Sequence, residues 1–363
     1  MSRTLSLYLG RQFLVAMLAV QGALLAVIFL IDVGELLRRS SGKPDATLGV
    51  VFDLALLHLP TVGAQVLPFA VLFGAIHALV RLTRAHELAV ARAAGVSAWQ
   101  FLAPGVIAAL ALGVLDVTVM NPIAALLLGE YERGVSRYLE LRSSVLSVSS
   151  TGLWLREADA AGNHAVVHAA SVDPLALRLN DVTVLHFRGE DEFIGRADAE
   201  RAVLVDGAWV LEAAWVTGPA RAGERVAELS VPTVLTPSHV RESLTSPDTV
   251  SFWQLPHFIA VLEATGLSSL GHRMQWHALL ARPFLLVAMV LIAAAASLRL
   301  TRRGGVTPLV LAGVTIGFGF MLFSSVVEAL GLGERLPIVL AAWTPASVML
   351  MLGLALLMHL EDG

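Results

Sequence analysis

The chain has 363 residues, of which 56% are hydrophobic and 15% charged, with a formal net charge of −4 and no cysteine. Soluble domains carry about 25% charged residues, so the shortfall points to a membrane protein, and the acidic balance argues against nucleic-acid binding. Without cysteine there are no disulfides or thiolate metal sites, which is compatible with any compartment.

Met1 to Gln12 is a short leader with Arg3 and Arg11, and Phe13 to Ile31 carries no charge. At ~1.5 Å per residue this run nearly matches a ~30 Å hydrocarbon core. No small-x-small cleavage site comes after it, so it reads as a retained first span that also targets the chain. Asp32, Glu35, Arg38, Arg39 and Lys43 come next, then Pro44. ELLRR keeps helix-forming residues, which lets the helix project past the membrane. Asp53 to Leu59 fits either an interfacial or reentrant piece or the outer start of the next span. Val62 to Val80 is the second span. Its Pro68 fits a modest bend or a gating hinge, and His77 an internal hydrogen-bonding residue.

Arg81 to Phe101 is a polar stretch between two apolar runs. Arg84 to Ala94 is helical in composition, Gly95 suits the residue after a helix end, and Ser97 can cap the next helix. A small helix carrying Glu87 among Arg81, Arg84 and Arg92 suits docking to a soluble partner. Phe101 to Met120 is the third span. Asp116, near its end, fits interfacial placement or a functional role.

From Glu130 to Arg273 the texture changes, with 12 of the 25 basic and 19 of the 29 acidic residues. EYERGVSRYLEL reads as an extension of the third helix. Strand-like runs come after it at Gly152 to Leu155, His164 to Val172, Leu177 to Phe187 and Trp209 to Trp215. Leu177, Leu179, Leu185 and Phe187 share one parity, and Trp209, Leu211, Ala213 and Trp215 share another face. A period of two with short turns indicates antiparallel β structure. A sandwich, a jelly roll or a curved open sheet each fits. It reads either as a structural domain with a fully packed core, or as a slot for an acyl-bearing ligand or a docking edge for another β protein.

Ser251 to Leu270 reads as a short helix, and Trp276 to Ser297 as the fourth span. Its Arg282 can snorkel outward or meet an anionic substrate. Arg299, Arg302 and Arg303 form a basic loop. Val306 to Val327, with Gly313, Gly317 and Gly319, is the fifth span, and Leu336 to Met358 the sixth. Six spans put both termini on one side with Arg3, Arg11, Arg81, Arg84, Arg92, Arg299, Arg302 and Arg303, which makes that side cytoplasmic. No phosphate-binding loop, dinucleotide fingerprint, H-E-x-x-H or G-x-S-x-G is present. An enzyme reading therefore has little behind it, and no cofactor or metal is expected.

YLGRQFL, ELLRRSS, LPFAVLFGAIHALVRL, RAHELAVARAAGVSAWQF, GLWLRE, MQWHALLARPF, GVTIGFGFMLFSSVVEALG and LAAWTPASVMLML, in this order, resemble the YjgP/YjgQ permease family, in particular its LptG type. The resemblance implies a polytopic α-helical membrane protein of six transmembrane helices, with a periplasmic β-jelly-roll domain inserted between helices 3 and 4. Residues 1–130 would hold the first three helices, 131–272 the periplasmic domain and 273–363 the last three. The implied function is a permease subunit of an ATP-driven exporter that takes lipopolysaccharide from the outer leaflet of the inner membrane. Implied partners are an LptF-type permease, an LptB-type ATPase dimer, an LptC-type single-span protein and a periplasmic LptA-type bridge. Glu87 matches the acidic residue of the family's coupling helix, with Arg84 and Arg92 flanking the ATPase contact. Glu35, Arg38 and Arg39 match the polar outer end of the first helix near the lipid A phosphates, and Arg282 is a further candidate for the anionic substrate. Asp32 stands where relatives often have Lys. The alternative function is a non-transporting anchor or assembly protein whose β domain binds partners.

Overall fold

A computed structural model describes residues 3–41, 43, 46–139, 153–158, 164–173, 178–188, 192–205, 208–218, 221–232, 246–264, 268–300 and 307–362. Arg302 and Arg303, Leu177 and the turn at residues 159–162 lie outside them. The chain forms two compact units, Met1–Leu139 with Asp248–Leu255 and Leu270–Gly363, and Glu140–Pro247 with Pro256–Ser269.

Among the described residues, the first unit holds six helices long and apolar enough to cross a membrane. The first runs from Arg3 to Ser40, so it does continue through Glu35 and its arginines. The second, Leu48–Arg84, passes Pro60 and Pro68 unbroken, and Thr47 caps it by accepting from the Val50 N–H. Asp53 to Leu59 is thus the outer start of the second span. The third runs from Ala98 to Tyr138, with a wide π-type turn at Asp116–Met120. Pro122 comes just after that turn and has no N–H to give to the preceding carbonyls. The Trp253 indole N–H donates to the Thr118 carbonyl at 3.1 Å, and the Phe252 N–H to the Asn121 side chain at 2.8 Å. The fourth span occupies Leu270–Leu300, the fifth Thr307–Leu332 and the sixth Ile338–Asp362.

Small residues set how closely these helices approach. A Cβ on Gly74 would lie 2.5 Å from Met17 Cα of the first span, and one on Gly113 would lie 2.6 Å from Pro283 Cα of the fourth. Gly313 and Gly317 of the fifth span sit against Phe73 and Phe69 of the second. Coverage is uneven: 61% of the most apolar stretch is buried in the second and fourth spans, but 11% in the first and 17% in the fifth.

The second unit is an antiparallel sheet of strands β1 (Leu153–Ala158), β2 (His164–Asp173), β3 (Arg178–Arg188), β4 (Glu192–Val205), β5 (Ala208–Gly218) and β6 (Arg221–Pro232). They pair in sequence order, so β1 and β6 are its edges among the described residues. This is an open β insert between the third and fourth spans.

The expected alternation holds within each half of the sheet and breaks along one line across it. Asp181 and Ala213 take left-handed backbone (φ 51° and 52°). The register places Asp181, Glu200 and Ala213 side by side on β3, β4 and β5. Inward positions change parity there. Leu179 is followed by Val182 and Val184, Ala199 by Ala202 and Leu204, and Leu211 by Ala214. Side chains from both sides of this crease nevertheless join one apolar cluster with Trp209 and Val231. A single sheet bent at the crease thus buries both of its halves, as two sheets do in a sandwich. The shared face read from Trp209 to Trp215 is therefore corrected: Trp209 and Leu211 are buried, Ala213 points outward and Trp215 is 49% exposed. Likewise Leu185 and Phe187 stand on the opposite face from Leu179.

Candidate functional site

At the cytoplasmic end, the second span stops at Arg84 and His86 redirects the chain with φ 59°. Glu87–Ala93 then forms a seven-residue helix. Gly95, at φ 82°, ends it, and Ser97 accepts from the Gln100 N–H at 3.2 Å to start the third span. Leu88 anchors the short helix in the main core cluster. Arg84, His86, Ala89 and Ala93 face outward, and Val90 is 67% exposed. Glu87 is half-buried and accepts a hydrogen bond from the Tyr8 hydroxyl at 3.2 Å. The residue singled out by sequence is thus tied to the first span, and Arg84 remains at the surface. The side chain of Arg92 lies outside the described residues.

At the outer end, Glu35 accepts from Arg38 at 2.8 and 2.9 Å and from Arg39 at 2.8 Å. One carboxylate against two guanidiniums leaves a positive excess, and the arginine side chains are 74% and 53% exposed. Asp32 pairs instead with His58 at 2.9 Å, and the His58 ring stacks on Tyr131 at 4.5 Å. Lys43 donates to the Leu139 carbonyl. Leu36, Leu54 and Leu139 fill the space between these three helix ends. His58 and Tyr131 escaped the sequence reading because they lie 26 and 99 positions from Asp32 in the chain.

Arg282 donates to Asp116 at 2.9 Å, with side chains 20% and 7% exposed. It is paired inside the protein and does not snorkel. A cavity of about 310 Å³ opens beside it, bounded by the second, fourth, fifth and sixth spans and reached by Gln65, Ser324 and Glu328. Asp248 accepts from Gln275 at 2.8 Å. Burial pushes the Asp248 carboxyl up, and the charge of Arg282 partly offsets this. His77, expected to be internal, is exposed. It borders a smaller cavity of about 240 Å³ with Gln12 and Arg81. Among the described residues no group of three or more His, Asp or Glu could hold a metal ion.

Six spans, an open β insert and a short helix between the second and third spans define a polytopic membrane protein. The sequence matches the family model for the lipopolysaccharide export system permease LptF/LptG over residues 7–359, and the chain belongs to that family. It is a multi-pass inner-membrane protein and a permease subunit for lipopolysaccharide export. The comparison with curated proteins gave no match.

Proposed function

We propose that the chain is the LptG-type permease of its exporter, paired with an LptF-type permease and driven by an LptB-type ATPase dimer. An LptC-type single-span protein and an LptA-type bridge complete the path toward the outer membrane. The observation that carries this reading is the bareness of the first and fifth spans, 11% and 17% buried against 61% for the second and fourth. Two apolar surfaces of this kind, on helices that both pack against the second span, fit a second permease and a lipid entering from the side. The excess charge of Arg38 and Arg39 over Glu35 stands at the outer end of the first span, suited to lipid A phosphates. Arg282, shared with Asp116, is a second contact of the anionic substrate.

The helix Glu87–Ala93 docks in a groove of the ATPase, with Arg84 and Arg92 flanking the contact. Its tie to Tyr8 supplies a route from ATPase closure to the first span. Glu87→Lys is expected to leave the protein in the membrane while the ATPase no longer co-purifies and transport stops. Undiminished co-purification and transport in that variant would count against the coupling role. Gentle detergent purification, with identification of bound subunits and lipid, decides the LptG-type assignment.

A further inference from the structure

We propose that the outer face of the β insert carries a saccharide-binding platform centred on Trp215, which holds the sugar portion of the transported glycolipid. The inference rests on lipopolysaccharide being the substrate. At this level of the sheet Thr183, Asp198, Trp215 and Arg225 are successive cross-strand partners on β3, β4, β5 and β6. All four line an open cavity of about 450 Å³ together with Asp181 and Glu200 of the crease. That volume falls within the ~300–1,000 Å³ range of small-ligand clefts.

The Trp215 ring lies over Gly223, where an added Cβ would come within 2.5 Å of Nε1 and 2.6 Å of Cε2 and Cζ2. The ring is thus seated on a residue with no side chain, and it is still 49% exposed. An aromatic face held flat and open accepts the C–H face of a pyranose ring. The polar groups around it are fixed beforehand. Asp198 accepts from Thr183 at 2.7 Å and from Arg196 through two bonds of 2.7 Å. Burial raises the Asp198 carboxyl, but the hydrogen bonds from Arg196 and Thr183 outweigh it and hold the group below the usual carboxylate range. A carboxylate and a guanidinium on either side of an aromatic face can accept from and donate to neighbouring sugar hydroxyls.

Charge selects the class of ligand. Asp181, Asp198 and Glu200 stand against Arg196 and Arg225, so the local balance is negative. A phosphate group is disfavoured there, and an uncharged stretch of sugar is not. The crease creates the site, since the left-handed residues Asp181 and Ala213 both border the cavity.

The test uses the full-length chain in detergent. Saturation-transfer NMR and calorimetry are run with the water-soluble oligosaccharide released from lipopolysaccharide by mild acid, with lipid A alone and with a cell-wall glycan fragment. The oligosaccharide is expected to bind and to receive saturation at its ring protons. Trp215→Ala is expected to weaken that binding at least about tenfold, while Trp215→Phe, which keeps an aromatic face, retains most of it. Lipid A binding is expected to be the same in all three proteins. Three results would overturn the proposal: equal oligosaccharide binding by wild type and Trp215→Ala, tighter binding of the cell-wall fragment, or a Trp215→Ala defect confined to association with a protein partner. If intact lipopolysaccharide binds and the oligosaccharide does not, only the platform is lost. If intact lipopolysaccharide does not bind, the substrate reading itself fails.

Discussion

Two side chains of the helical unit face each other where neither could remain alone. Asp116 and Arg282 come from the third and fourth spans, and each is a costly group in an apolar bundle unless paired. Asp116→Ala leaves the guanidinium buried without its partner, and a loss of about 3 kcal/mol is expected. Asp116→Leu combined with Arg282→Met removes both charges and is expected to recover most of that loss. Thermal unfolding of the wild type, Asp116→Leu, Arg282→Met and the double variant in one detergent gives the cycle, and a double-variant loss equal to the sum of the two single losses would mean that the pair contributes nothing. In the β insert, His186 offers a titration. Burial lowers its proton affinity, so its folded value lies below the ~6.5 of the unfolded chain. The unfolded state then takes up more protons in acid, and the stabilisation present above about pH 6.5 fades as pH falls toward the depressed value. Hydrogen exchange of β3, corrected for intrinsic rates, should show weaker protection at about pH 5 than at about pH 7.5. His186→Gln should flatten the difference. These residue-scale pairings were poorly legible in the sequence. Asp116 and Arg282 are 166 positions apart, and nothing in either local pattern names the other.

Elements were read far more reliably than the contacts between them. Each of the six apolar runs became a helix because a run of about 20 apolar residues in a bilayer has no other way to satisfy its backbone. Gly95 and Ser97 fell at the helix boundary for which their chemistry suits them. The β faces were read only in part. Alternation assumes an unbroken pleat, and Ala213 breaks it without any glycine, proline or turn signal, while Asn180-Asp181 offers only the left-handed tolerance of its residue types. Ala213→Gly tests whether the crease is imposed by the fold. Left-handed backbone costs a non-glycine residue about 1–2 kcal/mol, and glycine returns about 0.5–1 kcal/mol of that through its looser unfolded state. Ala213→Gly is therefore expected to be neutral or up to about 1 kcal/mol stabilising, and Ala213→Val clearly destabilising. A destabilised glycine variant would show that the backbone there is not under strain. Among the helices the matching case is Gly74, whose Cβ position is filled by the Met17 backbone. Gly74→Val has to part the first and second spans, and reduced accumulation of the protein in the membrane is the expected readout.

At the scale of the whole molecule, the chain is asymmetric from one membrane face to the other. Tyr8 reaches Glu87 at 3.2 Å, which puts the start of the first span and the Glu87–Ala93 helix at the same end of the helical unit. The ends of the first three helices that carry Glu35, Leu54 and Leu139 gather at the other. The arginines of the short loops assign the first end to the cytoplasm, and the β insert leaves the chain from the second. The absence of cysteine makes this arrangement directly testable, because any thiol introduced is the only one present. Val90, on the Glu87–Ala93 helix, is 67% exposed, and Val205, at the end of β4, is 53% exposed. In intact cells with a permeabilised outer membrane, a membrane-impermeant maleimide should modify Val205→Cys and leave Val90→Cys untouched. Once the inner membrane is also opened and the ATPase stripped away, both should react at comparable rates, since neither side chain is buried in the chain itself. Protection of both sites, or labelling of both before the inner membrane is breached, would place the Glu87–Ala93 helix and the sheet on one side. No cytoplasmic ATPase could then reach that helix without also meeting the sheet, and the coupling role proposed for Glu87 would fail with it.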